Sequence, residues 1–256
     1  MLRAPAVAGR FYASQPHRLK AAINHYLDQA DIPVSSGSIK CIIVPHAGYM
    51  YSGGVAAYAY KALESHKEHQ NFSRVILLGP AHTKYVAAPV TDSHAYWQTP
   101  LGKVKLFQSA FDSDPEAHQY EHCLEVQLPF LQTIFPRLEI MPFVVSEMED
   151  VSIFIHKLIP LLDQKTLLLI STDLSHYNTY KVAVKKDLTT IEAILALDAI
   201  SLKDNGDACG KTAVLMALEI AKKRGWKVRK LAYQNSGDVS GDKTSVVGYA
   251  SFAFYA

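Results

Sequence analysis

Short, wholly apolar runs recur along this chain, with amphipathic segments between them. Residues 41–44, 75–78 and 166–170 are such runs, and all are too short to be read as buried helices. Strands that are buried on both faces of a parallel sheet have this composition. Between them, segments such as residues 16–29 place their apolar side chains on one helical face. We therefore predict an α/β fold in which residues 1–256 form a single domain, with a central, largely parallel sheet flanked by helices.

The remaining elements follow from the same periodicities. A helix is predicted at 55–63, after a turn containing Gly and Ser, and a longer helix at 115–134, interrupted or bent near Pro129. A hairpin is predicted around residues 96–106 and a loop at 35–38. The other predicted elements are strands at 86–90, 138–145, 227–233 and 245–254, and helices at 151–162, 181–197 and 209–224.

The bulk composition is that of a globular protein. Hydrophobic residues make up 49% of the chain and charged residues 20%, with a formal net charge of +2. The nearest approaches to basic clusters, at 181–186 and 222–224, have helix-like spacing and are interpreted as solvated helix faces, so no nucleic-acid partner is expected. The amino terminus lacks the apolar core of a signal peptide and no apolar run is long enough to span a bilayer, so no membrane partner is expected. Three widely spaced cysteines fit a reducing compartment, and we expect a cytoplasmic protein.

Polar side chains follow several of the predicted strands. His46 and His82 come after the first two apolar runs, each just past a proline. Asp173 and His176 come after the third run, and Asp238 follows the predicted strand at 227–233. Because parallel strands share one carboxyl-terminal edge, we expect these side chains to converge there.

Two imidazoles and a carboxylate on separate strand ends point to a metal. A site with two histidines, one carboxylate and open positions suits Fe(II). With a water in the fourth position, the same ligands suit catalytic zinc. His176 would act beside the metal as a general acid or base, tuned by Asp173. The alternative interpretation is structural, with Asp173 capping the following turn and His176 packing on the sheet.

The predicted helix at 115–134 carries a second group of titratable residues. Glu121 and Glu125 share one helical face, and His122 stands off that face. This is either an exposed acidic face or a place where His122 enters the site as a second acid/base or substrate contact. The spacing leaves both interpretations open.

The segment around residue 210 resembles a phosphate-binding loop without matching it. Only three residues separate Gly206 from Gly210, ahead of Lys211 and Thr212, where the P-loop has four. The segment also follows a helix and a polar loop instead of a strand. Nucleotide binding is therefore not expected here.

Several longer motifs occur in order along nearly the whole chain. They are RAPAVAGRFY at 3–12, VPHAGYMYSG at 44–53, LGPAH at 78–82, EHCLEVQLP at 121–129, STDLSH at 171–176 and Cys209-Gly210. Taken together they resemble the Memo family, which implies a single Memo-like domain. The family's fold is similar to that of the class III extradiol dioxygenases (the LigB-like fold), which cleave catechol rings with non-haem Fe(II).

The resemblance also implies roles for individual residues. Matched by motif, His46 and His82 take the positions of the two metal histidines, and His176 that of the catalytic acid/base. The dioxygenases complete their ligand set with a glutamate from the region corresponding to residues 234–242. This chain offers Asp238 and Asp242 there, and Asp238 is favoured because it lies closer to the strand end. The implied cofactor is a divalent metal, Fe(II) first, with zinc or copper as alternatives.

Three functions stay open at this point. The first is a metal-dependent oxidoreductase of the extradiol type, whose substrate chelates the metal through adjacent oxygens. The second is a non-enzymatic module that binds a peptide or partner in the same histidine-lined cleft. The third is a zinc-dependent hydrolase. Besides an unidentified small molecule or peptide, the resemblance implies a radical-SAM protein and an AMMECR1-like protein as pathway partners.

Overall fold

A computed structural model of the protein describes residues 1–32, 37–66, 70, 72–107 and 110–256. These residues form one sheet with helices on both of its faces, so the predicted α/β class is confirmed. The loop predicted at 35–38 lies partly outside the described residues, at positions 35 and 36. No helix in the described part of the chain is both long and apolar enough to cross a membrane.

The sheet contains nine strands within the described residues. They are β1 Leu2–Arg3, β2 Ile39–Val44, β3 Arg74–Pro80, β4 Tyr96–Thr99, β5 Gly102–Leu106, β6 Glu139–Val145, β7 Thr166–Ser171, β8 Lys227–Asn235 and β9 Gly248–Tyr255. Their order across the sheet is β1-β4-β5-β6-β3-β7-β2-β9-β8. The four strands β6, β3, β7 and β2 run parallel at the centre, whereas β9 and β8 extend the sheet antiparallel. The predicted, largely parallel sheet is thus observed.

Nine α-helices connect and cover these strands within the described residues. They are α1 Pro16–Gln29, α2 Tyr49–His66, α3 Pro115–Gln119, α4 Leu128–Ile134, α5 Ser152–Leu158, α6 Tyr180–Leu195, α7 Ala199–Asn205, α8 Lys211–Arg224 and α9 Ser236–Ser240.

Two hydrophobic cores lie on opposite faces of the sheet. Along β2, Ile42 and Val44 join the core that contains α1, α2 and α4, while Cys41 and Ile43 join the core of α5, α6 and α8. Successive side chains of a strand point to opposite faces, so a strand between two cores must be apolar throughout. This explains why the central runs show no alternation with polar residues.

Several predicted elements differ from the structure. The strand predicted at 86–90 is wrong, because only Val90 of that segment pairs with another strand, through an isolated bridge to Val144. Helix α2 begins at Tyr49, well before the predicted residue 55. A glycine near its start allows close helix packing, since a Cβ at Gly53 would lie 2.9 Å from the ring of Tyr26.

The long helix predicted at 115–134 is broken into pieces. α3 ends at Gln119, and an irregular segment leads into a 3₁₀ turn at Glu125–Gln127, which continues directly into α4. The break precedes Pro129, which sits in the first turn of α4, where a missing N–H costs nothing. The carboxylate of Glu121 accepts the backbone N–H groups of His122 and Cys123, and this local hydrogen bonding competes with helix formation.

Candidate metal centre

Three adjacent strands deliver side chains to one edge of the sheet. β3, β7 and β2 are neighbours and run parallel, so their carboxyl ends lie side by side. His82 follows β3, Asp173 follows β7 and His46 follows β2. The predicted convergence of these groups at the carboxyl-terminal edge is observed for all three.

A third histidine joins this edge from the broken helical segment. One ligand nitrogen each from His46, His82 and His122 lies within 4.8 Å of the others, and these residues could hold a metal ion. The rings of His82 and His122 are stacked with centroids 5.0 Å apart, and both stand edge-on to the ring of His46. We call His46, His82 and His122 the histidine cluster.

The proton on His46 is fixed by its neighbours. Its backbone N–H donates to Asp173, and its Nδ1 lies 3.0 Å from the hydroxyl oxygen of Ser171. That hydroxyl gives its only hydrogen to the Cys123 carbonyl, so it can only accept from Nδ1. His46 therefore carries its proton on Nδ1 and keeps a lone pair on Nε2.

Glu121 holds the other two members of the histidine cluster. Its Oε1 lies 3.0 Å from Nδ1 of His82 and 3.3 Å from Nδ1 of His122. Burial alone would raise the pKa of Glu121, but the hydrogen bond from His82 and the charges around it lower that pKa to about 2. An ionised carboxylate only accepts hydrogen bonds, so it favours protons on both Nδ1 atoms and free lone pairs on both Nε2 atoms.

The charge states of His46 and His122 suit metal binding. Burial, together with the charges of His82 and His122, lowers the pKa of His46 well below its usual value. Burial also lowers the pKa of His122. Neutral imidazoles with Nδ1 held by oxygen and Nε2 free are the usual form of histidine ligands to transition metals. Imidazole binds iron, zinc and copper alike, so the donor set leaves the identity of the metal open.

Asp173 and His176 lie beside the histidine cluster. Burial raises the pKa of Asp173 to about 6, against the opposing effect of the His46 backbone N–H. The half-buried His176 is among the groups whose charge acts on both Asp173 and His46. Tyr177, the next residue, is exposed and has a φ of 58°. This left-handed conformation is costly for an aromatic residue, and such strain is concentrated at functional sites.

Cys209 reaches the histidine cluster from the loop before α8. Its sulfur lies 3.3 Å from Nε2 of His46 and accepts the backbone N–H of Asp173. Burial and the nearby Asp173 carboxylate raise the pKa of the Cys209 thiol to about 12. The thiol is therefore protonated at neutral pH, and its S–H can donate to the His46 lone pair.

The structure does not bring Asp238 into this group. One of its carboxylate oxygens accepts the backbone N–H of Asn235, as part of the cap of α9, and the other accepts the hydroxyl of Tyr180. Asp242 is exposed and accepts from Thr244. Among the described residues, neither aspartate belongs to a group that could hold a metal, and His122 stands where the sequence analysis expected Asp238.

Sequence reasoning missed several residues of this site. Glu121 is fully buried, so the alternative of an exposed acidic face is wrong. Cys209 gave no signal beyond its place in a motif, because its neighbours in the site are distant along the chain. Ser171 ends its strand and could have been noticed as a polar residue closing an apolar run.

The irregular segment that carries His122 is held by the amino terminus. The guanidinium of Arg3 donates to the carbonyls of His118 and Glu121 and to the carboxylate of Glu125. Glu125 also accepts the hydroxyl of Tyr12. Both ends of the 3–12 motif thus join Glu121 and Glu125 of the 121–129 motif in one buried network.

Comparison with known proteins supports the family that the sequence motifs indicated. A model of the Memo-like protein family matches residues 3–253. The chain belongs to the Memo family. This Memo-family protein is 37% identical over 285 aligned residues to a MEMO1 family protein of Saccharolobus solfataricus, with 99% of each chain covered. MEMO1 family proteins of Saccharolobus islandicus and Sulfolobus acidocaldarius match with the same identity and coverage.

Proposed function

We propose that this Memo-family protein binds a divalent transition metal through His46, His82 and His122 and acts as a metal-dependent oxidoreductase. The supporting observation is the histidine cluster itself, in which an oxygen lies beside each Nδ1 and each Nε2 keeps its lone pair for a ligand bond, with the weakly donating Cys209 thiol next to that of His46. Fe(II) is the metal proposed first, by similarity to the extradiol dioxygenases. Its chemistry, when it is bound, is the activation of oxygen toward a substrate that chelates through adjacent oxygens.

The residues around the histidine cluster would move protons. Asp173 has a pKa of about 6, so it gains and loses a proton near neutral pH. His176 is half-buried. In the sequence it follows the buried Asp173 and directly precedes Tyr177, which is exposed to solvent. We propose that Asp173 and His176 together carry a proton between the substrate and solvent.

The test is the metal content of the purified protein. His46→Ala and His82→Ala should each lower metal content from near one ion per chain to below about a tenth of that, because each removes a ligand. Both variants should remain folded by circular dichroism. His25→Ala is the matched control, since His25 is exposed on α1, and it should retain the metal. Unchanged metal content in both cluster variants would contradict the proposal.

A zinc-dependent hydrolase is the second candidate. The observation that favours it is the composition of the histidine cluster, because three imidazoles with an open position are a known catalytic zinc set. Protein purified without oxygen and analysed for each element separates the two candidates. Iron lost in His46→Ala supports the oxidoreductase, and zinc lost in the same variant supports the hydrolase.

A further inference from the structure

A cavity of about 260 Å³ opens next to the histidine cluster, on the face covered by α8. Its lining includes Pro80, Glu147, Cys209, Lys211 and Thr212. Cys209 belongs both to this lining and to the surroundings of His46, whose Nε2 lies 3.3 Å from the sulfur. A ligand in this cavity would therefore be separated from the histidine cluster by one side chain.

The amino terminus of α8 faces this cavity. The helix is 14 residues long, and its N-cap residue, Gly210, offers no side chain to cap it. The N–H of Gly210 donates to Thr172, and that of Lys211 to the Ala208 carbonyl. Within the described residues, the next two N–H groups, of Thr212 and Ala213, have no hydrogen-bond acceptor. Free N–H groups and the helix dipole make such an end attractive to anions.

Thr212 provides a second, independent sign of a ligand. Its side chain lines the cavity and is only 8% exposed. Its hydroxyl makes no hydrogen bond to any residue in the described part of the chain, although a helical threonine can donate to a preceding carbonyl. Among the described residues, this hydroxyl is not one of the fully enclosed polar atoms that lack a partner, so it is reached from the cavity. A hydroxyl left free here, beside two free N–H groups, is a donor that a bound group could use.

Two charged residues of opposite sign line the same cavity. The ammonium of Lys211 is held 3.3 Å from the carbonyls of Lys203 and Gly206, which fixes a positive charge at the helix end. The exposed carboxylate of Glu147 lies on the other side, at the end of β6. Lys211 attracts an anion and Glu147 repels one. We therefore expect removal of the Lys211 charge to lower the affinity of the cavity for an anion, and removal of the Glu147 charge to raise it.

We propose that this cavity binds an oxyanion group, a carboxylate or a phosphate monoester, of the substrate whose reacting end lies at the histidine cluster. The inference rests on the proposed function in one respect, that the substrate reacts at the histidine cluster. The residues that would bind the oxyanion are not members of that cluster. The donors are the N–H groups of Thr212 and Ala213 and the hydroxyl of Thr212. Their number suits a single oxyanion, in keeping with the absence of a complete P-loop around Gly210.

The test is a titration of anions into the full, metal-free protein, in which the backbone amide signals are monitored by NMR. Inorganic phosphate and acetate are the two probes, each at constant ionic strength, with chloride as the reference anion. The amide signals of Thr212 and Ala213 should shift and saturate with at least one probe. The probe that binds more tightly distinguishes a phosphate from a carboxylate group.

Substitutions identify the site. Thr212→Val keeps the shape of the side chain and should weaken binding about fivefold or more, because one donor is lost. Lys211→Gln should weaken binding about threefold to fivefold, and Glu147→Gln should strengthen it at least about twofold. Lys222→Gln is the matched control, since it removes the same charge at the opposite end of α8 and should change nothing.

The outcomes are separable from those of the metal test. Absence of saturable shifts, or equal affinity in wild type, Thr212→Val and Lys211→Gln, would overturn the oxyanion site. His46→Ala should retain phosphate or acetate binding even though it loses the metal, because His46 does not line this cavity. Failure of metal binding with an intact anion titration would therefore overturn the proposed function and leave the oxyanion site standing.

Discussion

At the scale of single residues, Glu121 connects the backbone to the histidine cluster. Its two carboxylate oxygens accept the backbone N–H groups of His82, His122 and Cys123 as well as Nδ1 of His82. A neutral residue could not accept this many hydrogen bonds, so the negative charge matters both for the local fold and for the orientation of two imidazoles. Asp173 is the opposite case, a buried carboxyl whose ionisation is disfavoured.

These opposite pKa shifts predict opposite dependences of stability on pH. The pKa of Glu121 is about 2 in the folded protein, against an ordinary value of 4.5, so its stabilisation is present above pH 4.5 and lost as the pH falls toward 2. The pKa of Asp173 is raised from 3.8 to about 6, so its contribution is present below pH 3.8 and lost as the pH rises through 6. Each shift corresponds to roughly 3 kcal/mol.

Urea unfolding of the metal-free protein between pH 2.5 and pH 7 measures these contributions. Glu121→Gln should be less stable than wild type at pH 5. This difference in the free energy of unfolding should become smaller by roughly 2–3 kcal/mol as the pH falls from about 5 to 2.5. For Asp173→Asn, the variant should gain stability relative to wild type as the pH rises from about 4 to 7. Wild-type and variant curves that stay parallel over the whole range would contradict both assignments.

His176 is predicted to affect turnover and leave metal binding unchanged. It is half-buried, near Asp173, and outside the groups that could hold a metal within the described residues. His176→Ala should keep the metal content of wild type, while turnover of a catecholic substrate with O2 falls about 100-fold or more, as expected for loss of a general acid or base. The measurement combines elemental analysis with oxygen consumption. Loss of metal from this variant would instead make His176 a ligand.

At the scale of elements, the amino-terminal arm and the irregular segment before α4 form one unit. Arg3 is 2% exposed, lies 4.1 Å above the ring of Trp97 and forms a 2.8 Å ion pair with the fully buried Glu125. Glu125 in turn accepts the backbone N–H groups of Ala6 and Val7. The arm thus supplies hydrogen-bond donors that the irregular segment requires, and the segment is fixed although it is not helical.

Breaking this unit should be costly. Arg3→Met leaves the buried Glu125 charge without its partner and should lower the free energy of unfolding by about 3–5 kcal/mol. Arg10→Met, an exposed change in the same arm, should have an effect below about 0.5 kcal/mol. The readout is urea denaturation of the metal-free protein.

A double variant makes the prediction about Arg3 specific. Arg3→Met combined with Glu125→Gln should be less destabilised than the sum of the two single variants, because the second change removes the unpaired charge. Additive losses would show that the two side chains stabilise the protein independently. That result would contradict the view of the arm and the segment as one unit.

At the scale of the whole molecule, the site lies at the carboxyl-terminal edge of the sheet, where residues from the elements that cover its two faces come together. His46 and His82 come from strand ends, His122 from the face covered by α1, α2 and α4, and Cys209 from the face covered by α8. The cavity lined by Cys209, Lys211 and Thr212, proposed above to bind an oxyanion, lies on the α8 face of the same edge. A substrate that used both places would contact elements from the two halves of the fold.

The sequence by itself determined the sheet and two of the three clustered histidines. The apolar runs at 41–44, 75–78 and 166–170 became β2, β3 and β7 because a strand between two cores must be apolar on both faces. His46 and His82 follow such strands directly, so their positions relative to the sheet edge are local information. The confirmed family also came from motifs that are contiguous in sequence.

Only the tertiary structure decided the rest of the site. His122, Glu121 and Cys209 reach the edge from segments whose course depends on contacts with residues far along the chain, such as Arg3 with Glu125. Helical periodicity predicts a helix at 115–134 that is interrupted or bent near Pro129, but the break lies at residues 120–124, where hydrogen bonds to the buried carboxylates of Glu121 and Glu125 outweigh the local preference for a helix. Asp238 looked available in sequence, but its oxygens are used in capping α9 and binding Tyr180. The physical reason is that buried polar groups must find partners, and which partners are within reach is known only once the chain has folded.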